Sequence, residues 1–230
     1  MTIAAGHRVI DLGILTLGGG KTGDVTNAGL IKAAGTGVLT LQGAVDNGGV
    51  LKARGGELVV TGTVTGSGKV KINGGTIDFA AAFTQHVAFS GATGVLELGQ
   101  SQAYRGTITG FSKTGGTSLD LDDIAFGGAT KATYAGDETR RVLTVTDGTH
   151  TARLRLAGDY RSSTFVAAAD GHGGTIIHGP ASLAAKLPPA GQRFIAAMAG
   201  LGGGGAGLEA GASRRPHAPP MLVGPRVQVA

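Results

Sequence analysis

Leu58-Val59-Val60-Thr61-Gly62-Thr63-Val64-Thr65-Gly66-Ser67-Gly68-Lys69-Val70-Lys71-Ile72-Asn73-Gly74-Gly75-Thr76-Ile77-Asp78-Phe79 holds one full unit of the pattern that decides the fold. The pair Leu58/Val60 returns 19 residues later as Ile77/Phe79, and the same pair is found outward in both directions as Leu39/Leu41, Leu96/Leu98 and Leu119/Leu121, the last step widening to 23. A second ladder runs Ile31, Leu51, Val70, Phe89 and Ile108, and a third runs Val25, Val45, Val64 and Phe83. Three ladders that keep one period in phase are the signature of a solenoid, in which no single unit can bury its own apolar face.

Within each unit the apolar residues alternate, as in Ile77-Asp78-Phe79, which is the two-residue periodicity of a strand. Asn47-Gly48-Gly49, Gly55-Gly56, Gly66-Ser67-Gly68 and Asn73-Gly74-Gly75 punctuate the strands with residues that tolerate tight turns. Val64, Val70, Ile77 and Phe83 are separated by 6, 7 and 6 residues, too few for a useful helix. The reading is an all-β parallel β-helix, a β-solenoid of ~19-residue coils, over residues 1–124. Right-handed winding is expected from the handedness of parallel crossovers. The competing architecture is a Gly-rich antiparallel sandwich, which does not hold one register over five units.

After Ile124 the period fails. Val142–Thr146 and Thr149–Leu156 flank Asp147-Gly148, and Phe165–Ala169 and Thr175–Ile177 flank Asp170-Gly171-His172-Gly173-Gly174, so two hairpins are expected. Residues 125–178 therefore read as a β-hairpin-rich extension that caps the solenoid. At the other end only Val9–Leu17 suggests a first coil, and an uncapped edge there points to preceding sequence or to a covering partner. Residues 179–230 read as a disordered Gly/Pro-rich tail, with Gln192–Leu201 as a short helix.

Composition narrows the function classes. The chain of 230 residues has 44 Gly, 7 Pro, no Cys and no Trp, with 15% charged and 4% aromatic residues. Absence of cysteine excludes a disulfide scaffold, a thiol nucleophile and Cys-ligated metal sites. A hydrophobic content of 41% argues against wholesale disorder. No run approaches the ~18 apolar residues of a membrane helix, and residues 1–7 lack a standard secretory signal. The net charge of +5 is mild, lies partly in the tail and lacks stacking aromatics, which speaks against nucleic acid.

Gly37-Val38-Leu39-Thr40-Leu41-Gln42-Gly43 and Val64-Thr65-Gly66-Ser67-Gly68 resemble the coils of filamentous-haemagglutinin-type adhesins and autotransporter passengers. Further on, Phe111-Ser112-Lys113-Thr114-Gly115-Gly116-Thr117-Ser118-Leu119-Asp120-Leu121 is followed by Leu143-Thr144-Val145-Thr146-Asp147-Gly148-Thr149-His150-Thr151-Ala152, by Leu156-Ala157-Gly158-Asp159-Tyr160 and Phe165, and by Asp170-Gly171-His172-Gly173-Gly174-Thr175. This run resembles the C-terminal module of large β-strand-repeat proteins of alphaproteobacteria, and the present chain is much shorter than a full-length member. The resemblance implies a secreted or cell-surface protein and supplies no catalytic residues. For the short tail helix the favoured reading is a frayed helix that docks weakly on the solenoid, and the functional alternative is an uncleaved C-terminal export signal that engages export machinery.

Two charged files follow from the coil register. Lys32, Lys52 and Lys71, with Arg54 beside them, form one outward file, and Asp78, Glu97 and Asp120 form another. Neighbours in a file lie ~4.8 Å apart. The lysine file suits an acidic polysaccharide, another surface glycan or lipid headgroups. The carboxylate file suits Ca²⁺ or acid–base chemistry on a glycan. Both also suit a solvated surface, and the carboxylates are expected to be exposed. The expected function is a non-enzymatic structural or adhesin-like segment that needs no cofactor, with a polysaccharide lyase or glycosidase and a calcium-binding repeat protein as the alternatives. His150 and His172 sit near turns and form a weaker metal candidate, and Ser101, Ser112 and Ser118 lack the context of a catalytic nucleophile.

Overall fold

A computed structural model describes residues 1–19, 23–136 and 141–179, and the tail helix and export signal expected beyond residue 179 lie outside the described residues. The fold is a β-solenoid of six coils, closed at its C-terminal end by antiparallel strands. The first coil holds β1 (Thr2–Ile3), β2 (Arg8–Asp11) and β3 (Ile14–Gly18). The second holds β4 (Val25–Asn27), β5 (Leu30–Ala34) and β6 (Val38–Gln42), and the third holds β7 (Val45–Asn47), β8 (Val50–Arg54) and β9 (Glu57–Val60). The fourth holds β10 (Val64–Thr65), β11 (Lys69–Ile72) and β12 (Thr76–Phe79). The fifth and sixth contribute β13 (Val87–Phe89) with β14 (Gly94–Leu98), and β15 (Thr107–Thr109) with β16 (Thr117–Leu121).

Corresponding strands stack in parallel. Sheet A is β1-β4-β7-β10, the spine of sheet B is β2-β5-β8-β11-β13-β15, and that of sheet C is β3-β6-β9-β12-β14-β16. The files Leu39-Leu58-Ile77-Leu96-Leu119 and Leu41-Val60-Phe79-Leu98-Leu121 are in direct register in sheet C and extend back to Leu15 and Leu17. Val25, Val45, Val64 and Phe83 align in the same way. The second ladder needs one correction: Val70 pairs with Val87, not with Phe89, which lies beside Ile72. The fifth coil is two residues shorter at this point, and a two-residue slip keeps the same face inward. Burying these files removes whole aliphatic side chains from water, at roughly 1.5–3 kcal/mol for each.

The first coil is fuller than Val9–Leu17, because Thr2–Ile3 already pairs with β4. Among the described residues its outer edge is unpaired in all three sheets, and Met1, Ile10, Leu12 and Ile14 stand exposed along it. The other end is closed. β17 (Lys131–Ala135), β18 (Val142–Thr146) and β19 (Thr151–Ala157) form an antiparallel meander, and β19 docks in parallel on β15. β20 (Val166–Ala169) and β21 (Thr175–His178) form the second hairpin, and β21 docks antiparallel on β16. One hydrophobic core runs from Ile3 through the coils to Leu143, Leu154, Phe165 and Ile177.

Aromatic residues are concentrated towards the closed end. Phe79 and Phe83 stack with ring centroids 3.7 Å apart, and Tyr104 continues the stack at 5.5 Å. Phe111, Tyr134, Tyr160 and Phe165 form a second cluster where the two hairpins meet the last coil. The Tyr160 hydroxyl donates to the Phe111 carbonyl at 2.7 Å.

A buried amide ladder ties the corner between sheets A and B. Asn27 Nδ2 donates to Asn47 Oδ1 at 2.7 Å, and Asn47 Nδ2 donates to Gln85 Oε1 at 2.8 Å. The fourth coil supplies no amide at that corner. Gly66 stands there with φ +87°, and a Cβ would lie 2.5 Å from the Asn47 carbonyl. The longer Gln85 spans the gap from the fifth coil, and its Nε2 also donates to the Thr65 and Asn47 carbonyls at 2.8 and 3.0 Å. Truncating one amide strands the others out of water, at a cost of about 1–3 kcal/mol.

Leu58→Ala, at a side chain with no exposure, lowers stability by about 2–5 kcal/mol in denaturant unfolding; an unchanged midpoint would show that the position does not face the core. Gln85→Leu lowers the melting temperature although it adds apolar surface, because Asn47 loses its acceptor; a variant as stable as the parent would remove the amide ladder from the account.

Candidate functional site

The outer face of sheet B is basic along its length. Its outward strand positions carry Arg8, Lys32, Lys52, Arg54, Lys69, Lys71, Lys131, Arg153 and Arg155, and no acidic residue among the described residues. Lys32, Lys52 and Lys71 are in direct register, so the expected file exists, with Arg54 two residues beyond Lys52 on the same face. Arg8 and Lys69 occupy the adjacent row, which reaches Lys69 through Leu30 and Val50. The two ion pairs among the described residues are His150–Asp147 and Arg161–Asp159, so no strand cation of this face is paired with a described acid. Nine strands at ~4.8 Å make the face about 38 Å long.

Sheet C carries the opposite sign. Glu57, Asp78, Glu97 and Asp120 point outward from β9, β12, β14 and β16, and no Lys or Arg lies on the described strands of this sheet. Asp78, Glu97 and Asp120 are in direct register. They are not exposed as the sequence suggested: each is half-buried, and one oxygen each of Asp78 and Asp120 is sealed from water without a hydrogen-bond partner. Flanking side chains on a flat parallel sheet shield the stems, so burial raises the carboxyl of Asp78 to about 6, that of Glu97 to about 7 and that of Asp120 to about 6, and neighbouring carboxylates add to each rise. Working acid–base pairs have environments that drive the two pKa values apart; here burial and mutual repulsion drive all three upward. The lysine and carboxylate files lie on separate sheets, so no lysine of the file stands beside these acids as a base.

Among the described residues, the carboxylates that come close enough together to share a cation include only Asp120 from the file. Asp120, Asp122 and Asp170 bring one oxygen each within 4.8 Å of one another. Asp170 is already used to hold its own turn, as its Oδ1 accepts from the backbone N–H groups of His172, Gly173 and Gly174 at 2.7–3.0 Å. The 170–174 segment is thus a hairpin loop pinned by an aspartate. His150 is likewise engaged with Asp147, at 2.9 Å. Among the described residues no metal-compatible group includes His150 or His172. Ser101 hydrogen-bonds Asp123, Ser112 caps its own turn through the Thr114 N–H, and Ser118 contacts His178 Nδ1 at 2.8 Å across the β16–β21 pair.

The sequence reading missed a third feature. A cleft of about 750 Å³ opens on the outer face of sheet B at the closed end, and its lining includes Tyr104, Arg105, Thr144, Arg153 and Arg155. It exists because β19 joins β15 in parallel after the 19-residue period has ended, which places Arg155 beside Thr107. Alternation in Thr151-Ala152-Arg153-Leu154-Arg155-Leu156 was the available signal: Ala152, Leu154 and Leu156 are buried and both arginines face out.

In comparisons with known proteins, no protein-family model matches the chain, and no curated protein matches it. Among the described residues no helix is long and apolar enough to cross a membrane.

The raised carboxyls set a pH dependence. An ordinary Asp or Glu titrates near 4, so between about 4 and 7 the folded state holds more protons at Asp78, Glu97 and Asp120 than the unfolded state does. Stability contributed by these groups therefore falls as pH rises through that window. The melting temperature is expected to be lower at pH 8 than at pH 5.5, and Glu97→Gln should raise it at pH 8 and flatten the profile. A wild-type profile that rises across the window, or a Glu97→Gln variant that melts lower at pH 8, would contradict this electrostatic reading.

Proposed function

We propose that the protein is a non-enzymatic binding and spacer rod of a secreted or cell-surface assembly, and that its basic face holds a linear acidic polysaccharide. The observation that supports this reading best is the segregation of charge, with nine outward cations and no outward acid among the described strand residues of sheet B, whose one strand acid, Asp11, is buried. A polyanion that runs along the coil axis meets a cation at each of three successive coils through Lys32, Lys52 and Lys71. Each contact is weak alone, because exposed pairs contribute roughly 0–1 kcal/mol. Repetition on a rigid support converts weak contacts into avidity, since each added contact is intramolecular once the first has formed. The resemblance to haemagglutinin-type and autotransporter-passenger coils supports the same location and the same mechanical role. The carboxylate face keeps polyanions off sheet C and so gives the rod one binding side.

Binding to acidic polysaccharides should weaken steeply with added salt, as the screening length falls from ~10 Å at 0.1 M to ~3 Å at 1 M. Joint Lys52→Ala and Lys71→Ala should weaken it at low salt, while Glu97→Gln should leave it intact. Product analysis of the same mixtures should show no cleavage. Binding indifferent to salt and to the lysine substitutions would overturn the binding reading, and cleavage abolished by Glu97→Gln would make the protein an enzyme.

A further inference from the structure

We propose that the cleft between Arg105, Arg153 and Arg155 is a discrete site for a tetrahedral oxyanion substituent, a sulfate or phosphate ester carried on the polysaccharide. This rests on the polysaccharide reading above and assigns the feature that would give it specificity.

The cleft differs from the lysine file in three respects. First, it is concave, where the file lies on the flat outer face of strands β5, β8 and β11. Second, its cations are guanidinium groups that approach from two elements. Arg153 and Arg155 project from β19, and Arg105 comes from the segment just before β15. Arg105 is fixed in place, because its Nη1 donates to the Gln102 and Tyr104 carbonyls at 2.8 and 2.9 Å. Third, two of its cations have no partner among the described residues. No side-chain hydrogen bond or ion pair of Arg153 or Arg155 falls within the described residues. Asp123, linked to Arg105 through Gln102, already accepts hydrogen bonds from Ser101 and Gln102.

A planar carboxylate is matched by a single guanidinium fork through two parallel hydrogen bonds. Three arginines that line one cleft offer more forks than a carboxylate has edges. A sulfate or phosphate ester, with three terminal oxygens, can engage several forks at once. Thr144 lies on β18 directly opposite Arg153, where its hydroxyl adds a neutral donor to the same rim. Lysines act as point charges and do not distinguish the two geometries. The file would therefore supply affinity for any polyanion, and the cleft would supply preference among them.

The test titrates the full chain with sulfated, phosphorylated and carboxylated oligosaccharides of equal charge and length at one low salt concentration. The wild type should bind the sulfated or the phosphorylated probe several-fold more tightly than the carboxylated one, and whichever probe wins identifies the ester. Arg153→Gln with Arg155→Gln should weaken that binding about tenfold and remove the preference. Arg153→Lys should keep part of the affinity and lose most of the preference. Lys52→Ala with Lys71→Ala should weaken all probes alike and keep the preference. Melting curves identify any variant that fails to fold, and the Arg153→Lys result then decides. Equal, salt-sensitive binding of all three probes by the wild type would overturn the oxyanion site and leave the basic-face reading standing. No binding of any probe would remove both.

Discussion

The whole structure depends on one constraint: each residue of a coil sits one strand spacing, ~4.8 Å, above its counterpart in the coil below. A position in the coil thereby becomes a file along the rod. Inward, this is favourable without reservation, because Leu39, Leu58, Ile77, Leu96 and Leu119 shield one another and leave no apolar surface between coils. Outward, the same repetition sets like charges side by side. In a water-like dielectric two unit charges at this spacing repel by only ~1 kcal/mol, so the fold tolerates a lysine file. Where neighbouring stems exclude water, as around Glu97, the repulsion and the lost hydration appear instead as a carboxyl raised to about 7.

Repetition also makes the ends the difficult part of the molecule. A coil in the middle satisfies its backbone with the coils on both sides, and the last one cannot. At the C-terminal end the chain abandons the parallel winding, and two hairpins cover the edges of sheets B and C. The aromatic cluster of Phe111, Tyr134, Tyr160 and Phe165 fills the space where they converge. At the corners, close stacking leaves no room for a side chain at certain steps. At Gly75, with φ +78°, a Cβ would lie 2.1 Å from the Gly56 carbonyl. The high glycine content thus reflects coil-on-coil contact as well as turn formation.

What could be read from the residues was what the period carries. The inward files, the lysine file and the acidic file all follow from counting, because equal spacing along the chain becomes adjacency in space. Counting failed where a coil changed length: Phe89 is the bulkier residue of its strand and took the place of Val87 in the ladder, although the shortened fifth coil aligns Val87 with Val70. It could not find Gln85, whose side chain reaches Asn47 across the intervening Gly66. The exposure of Asp78 and Glu97 was misjudged because strand alternation says which way a side chain points and not how closely its neighbours crowd it. The arginine cleft was hidden for a different reason. It joins β19 to β15, and no repeat relates those two strands.

Hydrogen–deuterium exchange in the presence and absence of a saturating acidic polysaccharide tests most directly the proposal that the two charged faces have different roles. The predicted result is added protection confined to peptides of sheet B, from Arg8 through Lys32, Lys52 and Lys71 to Arg153 and Arg155, with the strands that carry Asp78, Glu97 and Asp120 unchanged. Protection centred on those acidic strands, or spread evenly around the coils, would contradict it.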